Sequence, residues 1–236
     1  MLKFIKRSFD MRILFKTNYK QDLNLAKHSG HRFWYGLLIL VLLAAPLILD
    51  GYYIGEATRV LIFAMAGLGL MVVTGFTGQV SLGHAAFLLI GAYTNAWFLA
   101  QGFSSFIALP MAALLSMIGG LLVAIPAARM SGIYLAIATL VFAIIVEDVA
   151  GHLNSITGGN RGMMVDVPML FGYQIWQSWE LYLFVLIILV AATLVVLNIL
   201  RSPLGRAMIA VRDSEVSSQA LGVNPMKIKV FAFTVS

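Results

Sequence analysis

Long apolar runs separated by short polar segments make up most of this chain. An α-helix needs about 20 residues to cross roughly 30 Å of hydrocarbon, and six runs come close to that length. A seventh begins near Ile228 and ends at Ser236 without a stop signal, which predicts a chain truncated within a span. The pattern predicts an all-α integral membrane protein, a polytopic bundle of about six complete transmembrane helices and a truncated seventh. The six predicted spans cover residues 33–49, 57–74, 84–100, 106–128, 133–149 and 181–200.

The segment 75–93, GFTGQVSLGHAAFLLIGAY, interrupts this pattern with glycines and uncharged polar side chains. Glycine lets the backbone leave helical geometry, and irregular backbone in a membrane is tolerated only where it faces protein or a water-filled cavity. The segment is therefore a candidate lining for a solute pathway, either as a cytoplasmic loop or as a re-entrant break. For His84, the alternative is a hydrogen-bonded packing histidine. The candidate pathway residues are Gly75, Thr77, Gly78, Gln79, Ser81, Gly83 and His84.

Composition and charge place the chain in a membrane rather than in solution. Hydrophobic residues make up 61% of it and charged residues 11%, with a mean hydropathy of +0.92, whereas soluble domains carry about 25% charged residues. The net charge of +6 lies in residues 1–32, which contain eight basic and two acidic side chains. A basic tail before the first apolar run predicts a cytoplasmic N-terminus on a multi-pass inner-membrane protein, and not a nucleic-acid-binding protein.

The predicted external loop, residues 147–180, contains the turn TGGNRG. Loops of this length usually carry either a function or disorder. The turn is a candidate contact for a partner or solute, and the alternative is a simple turn with an exposed arginine. The candidate residues are Thr157, Gly158, Gly159, Asn160 and Arg161.

The predicted cytoplasmic loop, residues 201–229, contains signals for a short helix. Pro203 and Gly205 end the sixth span, Asp213 or Ser214 can cap the helix, and Gly222 ends it. A helix of about two turns is unstable alone in water, so it needs a surface to pack on. That surface is either a soluble partner or the bilayer.

Four segments in the same order resemble one family: GFTGQVSLGHAAFLLIGAY, SGIYLAIATL, TGGNRGM and SPLGRAMIAVRDSEVSSQALGVN. From about residue 57 to the end, the chain resembles the membrane subunit of ABC importers for branched-chain amino acids, the LIV type, a family that includes urea and amide permeases. The basic tail and the first span match the family only in character. Charge and the pattern of spans predict a basic cytoplasmic tail over 1–32 and a C-terminally incomplete permease domain over 33–236. One departure is that Ser217 and Ser218 stand where relatives tend to have two alanines.

The resemblance also implies partners. These are two cytoplasmic ABC ATPase subunits, a second permease subunit of different sequence, and an extracytoplasmic solute-binding protein. The loop 201–229 would dock on an ATPase as a coupling helix. The implied coupling residues are Arg206, Arg212, Asp213, Glu215, Ala220 and Gly222.

The residues themselves argue against the competing classes. There is no G-x-x-x-x-G-K-[ST] phosphate loop, so we expect ATP to be bound by partner subunits and no cofactor by this chain. Four histidines lack metal-ligand spacing and there is no cysteine, which predicts neither a metal site nor an enzyme. An ion-coupled transporter remains open, although few ionisable residues lie near the spans. The substrate remains open between branched-chain amino acids and urea or amides.

Overall fold

The computed structural model describes residues 29–127, 129–130, 132–165, 167–170 and 172–236. Most of them are helical. A π-helical turn (Met71–Phe76) continues the second helix, and a 3-10 turn (Gly159–Arg161) and two short antiparallel strands, β1 (Met169–Leu170) and β2 (Tyr173–Gln174), lie between α6 and α7. The helices are α1 (Ser29–Ile48), α2 (Gly51–Leu70), α3 (His84–Ala100), α4 (Ser105–Ala127), α5 (Ile133–His152), α6 (Asn154–Thr157), α7 (Ser178–Arg201), α8 (Pro203–Asp213), α9 (Glu215–Ala220) and α10 (Pro225–Val235).

Four helical stretches among the described residues are long and apolar enough to cross a membrane: Gly51–Phe76, Ser105–Pro126, Ile133–His152 and Ser178–Arg201. Two further apolar helices, Phe33–Ile48 and His84–Ala100, are shorter. Large apolar side chains stay exposed on these helices, for example Leu47 at 88% and Ile187 at 68%. Exposed apolar surface on this scale requires a lipid or protein environment. The prediction of an all-α membrane protein is confirmed.

The chain divides into two compact units, residues 1–54 and 55–236. In the first unit, α1 exposes aromatic and aliphatic side chains along most of its length. The predicted basic tail, 1–32, lies mostly outside the described residues. Its last part, 29–32, already belongs to α1.

The core of the second unit lies where α3, α4, α5, α8 and α10 meet. Helix α10 packs closely against α4 at Gly120. A Cβ on Gly120 would lie only 2.8 Å from the Phe233 carbonyl oxygen, which shows how near the two backbones are. Small residues at such a crossing allow two backbones to come together. The buried core side chains are Val72, Val73, Phe87, Val123, Ala124, Leu135, Met208, Val211, Ile228, Ala232 and Phe233.

The sharp turn between α7 and α8 follows from three residues within the segment 202–205. The Ser202 hydroxyl accepts hydrogen bonds from the backbone N–H groups of Leu204 and Gly205, which caps α8. Pro203 occupies the first turn of α8, where its missing N–H is not needed. A Cβ on Gly205 would overlap the Leu200 carbonyl.

Helix α8 is a feature that the sequence interpretation missed. Pro203 and Gly205 predict the end of the sixth span, and α7 does end at Arg201, but a second helix of 11 residues begins at Pro203. The helix after it matches the predicted short helix. Its cap is Ser214, whose hydroxyl accepts from the Ser217 N–H, and not Asp213, which lies within α8.

Contacts within the second unit define two ends of the helix bundle. We call the first the break end: it comprises residues 75–83, 129–130 and 202–229, which are joined by side-chain contacts from Arg212 and Lys229. We call the other the hairpin end: it comprises residues 101–104, 153–165, 167–170 and 172–177, joined where the Ser104 hydroxyl donates to the Met169 carbonyl at 3.1 Å. The predicted break and the predicted cytoplasmic loop therefore lie at the same end.

Candidate functional site

The break between α2 and α3 has an extended backbone with alternating burial. The π-helical turn ends at Phe76, and α3 begins at His84. Between them Thr77, Gln79, Ser81 and Gly83 are buried, whereas Gly78, Val80 and Leu82 are exposed. The polar side chains thus point into the protein and the apolar ones point out, which is the arrangement expected of a segment surrounded by lipid or by another membrane subunit.

Two backbone hydrogen bonds hold the break against neighbouring helices. The Gln79 N–H donates to the Val73 carbonyl at 3.1 Å, and the Leu82 N–H donates to the Thr139 hydroxyl on α5 at 3.0 Å. A Cβ on Gly83 would overlap the Thr139 carbonyl. The break is therefore packed directly on α2 and α5.

Three polar atoms on and beside the break are buried without a hydrogen-bond partner in the described part of the chain. They are Gln79 Oε1, Ser81 Oγ and His84 Nδ1. Buried polar groups without partners are uncommon in native structures and call for an explanation. Four of the seven candidate pathway residues are buried and His84 is half-buried, whereas Gly75 and Gly78 lie on the surface.

Arg212 connects the break to the loop after α7. Its Nη1 donates to the Gly75 carbonyl at 3.1 Å, and its Nε and Nη2 each donate to Asp213 at 3.1 Å. Gly78 has φ +67°, and a Cβ there would lie 2.8 Å from Arg212 Cγ. A candidate coupling residue and a candidate pathway residue that are 137 positions apart in sequence therefore touch.

A second connection joins α9 to α10. Lys229 Nζ lies 2.6 Å from Glu215 Oε1 and donates to the Met130 carbonyl at 3.5 Å. Lys229 is 3% exposed. Sequence reasoning singled out Glu215 but missed Lys229. Its position in the apolar run after Pro225 was the available signal, because a lysine buried there requires a partner.

Helix α9 has one large apolar side chain on its exposed side, Val216 at 80%, and Leu221 directly after the helix is 81% exposed. Ser218 is buried and donates to the Glu215 carbonyl at 2.8 Å. Of the two serines that depart from the family pattern, Ser218 therefore lies on the protein side of α9, whereas Ser217 is exposed. Of the remaining coupling candidates, Arg206 lies on α8, Ala220 ends α9, and Gly222 follows with φ +84°.

The TGGNRG turn at the hairpin end is folded onto α5. The buried Thr157 hydroxyl donates to the carbonyls of Ala150 and Leu153 at 2.6 and 2.7 Å, so Thr157 holds the turn rather than facing outward. Gly158 and Gly159 have φ of +72° and +61°, and Gly159 is buried. Of the candidate contact residues, Asn160 and Arg161 are the exposed ones.

Tyr173, in the segment before α7, has a raised pKa. The Tyr173 hydroxyl on β2 donates to Glu180 at 2.7 Å. This hydrogen bond, together with the charge of Glu180, raises the pKa of Tyr173 above its ordinary value. The tyrosine therefore stays neutral at physiological pH and joins β2 to the first turn of α7.

Comparison with known proteins decides the family. Residues 52–236 match the model of a family described as branched-chain amino acid transport system / permease component. The chain belongs to this permease family. The resemblance inferred from the four sequence segments is confirmed.

Two curated relatives of this permease share about a third of its sequence. Over 227 residues it is 35% identical to the high-affinity branched-chain amino acid transport system permease protein LivM of Salmonella typhimurium strain LT2, and 34% identical to LivM of Escherichia coli K12. Each alignment covers 84% of this chain and 53% of the relative. The chain therefore spans about half the length of these relatives. No solved structure matches it significantly.

Proposed function

We propose that this permease is the membrane subunit of an ATP-binding-cassette importer that moves branched-chain amino acids, or a related small neutral or zwitterionic solute, across the inner membrane. Family membership and the names of the LivM relatives support the substrate class. In this proposal the chain is a transport subunit and not an enzyme. Its partners are two cytoplasmic ATPases that bind ATP, a second permease subunit of different sequence, and an extracytoplasmic binding protein.

The proposed topology has six complete spans and the start of a seventh, with a cytoplasmic N-terminus. The break end then faces the cytoplasm, and the hairpin end faces outward. The distribution of charge supports this orientation, because the break end carries Arg206, Arg212 and Lys227, whereas Arg161 is at the hairpin end. Excess Lys and Arg on cytoplasmic segments is the general rule for membrane proteins.

The contact between Arg212 and Gly75 is the observation that supports a coupled mechanism. Val216 on α9 and Leu221 directly after it are exposed, where an ATPase subunit can contact them. Only Asp213 and Ser214 separate Arg212 from the start of α9 at Glu215, and Arg212 contacts the break at Gly75 and Gly78. A displacement of α9 on nucleotide binding would therefore reach the break directly, in keeping with alternating access through rigid-body shifts.

Arg212→Ala tests this mechanism in the complete transporter reconstituted in proteoliposomes. We expect ATP-driven uptake of labelled leucine to fall about tenfold or more, since a hydrogen bond from a charged group is worth about 1.5–3 kcal/mol. ATP hydrolysis should continue, because Arg212 faces the permease. Lys227→Ala, which removes a positive charge at the same end without touching the break, should transport as the parent does.

Several outcomes would contradict the proposal in different ways. Normal uptake by Arg212→Ala would overturn the coupling role while leaving the transport function in place. Uptake by the parent that needs no ATP and collapses with the proton gradient would indicate an ion-coupled transporter instead. ATP-driven uptake of urea or amides, but not of leucine, would move the protein to the amide-transporting part of the family.

A further inference from the structure

We infer that Gln79 and His84 bind the ammonium group of the amino acid as it passes the break, through acceptor atoms that the fold leaves unpaired. This inference rests on the proposed transport function and identifies which part of the substrate the break contacts. The atoms concerned are Gln79 Oε1 and His84 Nδ1, both buried without a hydrogen-bond partner in the described part of the chain.

The orientation of the Gln79 amide follows from a chain of hydrogen bonds. The Thr77 hydroxyl donates its single proton to the Val73 carbonyl at 2.6 Å. Its oxygen can therefore only accept from Gln79, which lies 2.9 Å away through Nε2. The amide nitrogen is fixed toward Thr77 by this constraint. The oxygen is left facing away, so the free group on Gln79 is an acceptor.

The second free atom, His84 Nδ1, lies beside the break. The other ring nitrogen, Nε2, lies against α2, where a Cβ on Gly69 would come within 3.0 Å of it. In a neutral imidazole one ring nitrogen carries the proton and the other is an acceptor. The ring accepts a hydrogen bond from the ammonium at Nδ1 in the tautomer that carries its own proton on Nε2.

Both acceptors lie beside the end of the second helix. Gln79 is held at Val73 in the π-helical turn, and His84 lies against Gly69 in the last turn of α2. The two anchor points are therefore at different positions along the chain, and the acceptors form successive contacts at the break rather than one tight site.

An ammonium group suits these contacts because it offers three donors and no acceptor. Both acceptors are uncharged. They stabilise the ammonium group less strongly than a carboxylate in an ion pair would, so the solute can dissociate again. The amide protons of urea could satisfy the same atoms. We favour the ammonium because the LivM relatives are named for branched-chain amino acids.

The test is binding to the purified complete transporter without its solute-binding protein, followed by saturation-transfer NMR, which detects weak ligands. The probes are leucine, its analogue with a hydroxyl in place of the ammonium, and urea. We expect wild-type transporter to bind leucine at least about tenfold more tightly than the hydroxyl analogue or urea. Equal binding of leucine and the hydroxyl analogue would overturn the inference, and preferential binding of urea would assign the acceptors to an amide solute.

Two variants locate the effect. Gln79→Leu and His84→Phe each remove one acceptor while keeping most of the side-chain volume, and each should weaken leucine binding about tenfold. The control, Val80→Ala, changes the exposed side chain between Gln79 and Ser81 and should bind within about twofold of wild type. Unchanged binding in both acceptor variants would overturn the inference.

The outcomes separate this inference from the proposed function. Normal ATP-driven leucine uptake by wild type with no loss of binding in the variants would reject the acceptor role alone. Absence of any leucine uptake or binding by wild type would reject both. If a variant fails to assemble, the comparison of leucine with its hydroxyl analogue on the wild-type transporter still decides the inference.

Discussion

Glu215 and Lys229 form an ion pair whose two partners differ in exposure. The Lys229 side chain is 4% exposed and that of Glu215 is 45% exposed. Removing the carboxylate would leave a buried ammonium with one long contact to a carbonyl, whereas removing the lysine would leave a carboxylate that water already reaches. Loss of one partner of a buried pair is costly mainly through the charge that remains.

We therefore expect Glu215→Ala to destabilise the protein more than Lys229→Met. Glu215→Ala should lower the free energy of unfolding by about 1–3 kcal/mol, and Lys229→Met by less than about 1 kcal/mol. Thermal unfolding of the purified transporter, followed by tryptophan fluorescence, measures both. The double variant is the control and should recover most of the loss caused by Glu215→Ala. Equal losses in the two single variants would contradict this account.

At the residue scale, the sequence identifies which residues of the break are polar, but not which of their atoms lack hydrogen-bond partners. The polar residues of the break stand out because Thr77, Gln79 and Ser81 alternate with glycine or apolar residues. Which of their atoms lack partners depends on the Thr77–Val73 hydrogen bond, and no pattern in the sequence reveals that bond. The sequence does not predict the contact between Arg212 and Gly75 either, because this contact joins distant parts of the chain.

At the scale of elements, the apolar runs predicted the long helices well because the bilayer sets their length. Helix α8 was missed because Pro203 and Gly205 usually end helices, and here they also begin one. The close approach of α10 to α4 was not predicted, although Gly119 and Gly120 lie in the fourth apolar run, where small residues permit close packing of helices. Only the structure shows that Gly120 meets backbone, while Gly119 meets the end of the Ile90 side chain.

These two adjacent glycines provide a matched test of helix packing. A Cβ on Gly120 would lie 2.8 Å from the Phe233 carbonyl oxygen, and one on Gly119 would lie 2.9 Å from Ile90 Cδ1, the mobile end of a side chain. We expect Gly120→Ala to destabilise the protein by about 1–3 kcal/mol, and Gly119→Ala to be much closer to neutral. The melting temperatures of the two variants in detergent measure the difference. Similar temperatures would show that α10 can move away from α4.

At the scale of the whole molecule, contacts bring the break and the predicted cytoplasmic loop to the same end of the bundle. The described residues 75–83, 129–130 and 202–229 meet at the break end. The predicted external loop, 147–180, meets the connection between α3 and α4 at the hairpin end. The excess of Lys and Arg at the break end supports an orientation in which that end faces the cytoplasm.

Because the chain contains no cysteine, single cysteines can report the side of the membrane on which each end lies. Asn160 at the hairpin end and Ser217 at the break end are both exposed. We expect a membrane-impermeant maleimide to label Asn160→Cys only from outside the cell, and Ser217→Cys only in inverted vesicles. The parent chain is the control and should take up no label.

Val80→Cys extends the same measurement to the break itself. Val80 is 50% exposed between two buried polar residues. Gly75, in the same segment, accepts a hydrogen bond from Arg212, which belongs to the loop that carries Ser217. Labelling of Val80→Cys only in inverted vesicles would therefore place the break at the cytoplasmic end. Labelling from both sides would indicate a re-entrant segment. The same labelling of Lys227→Cys checks whether a bound subunit shields Ser217. Labelling of both Ser217→Cys and Lys227→Cys from outside the cell would contradict the proposed topology.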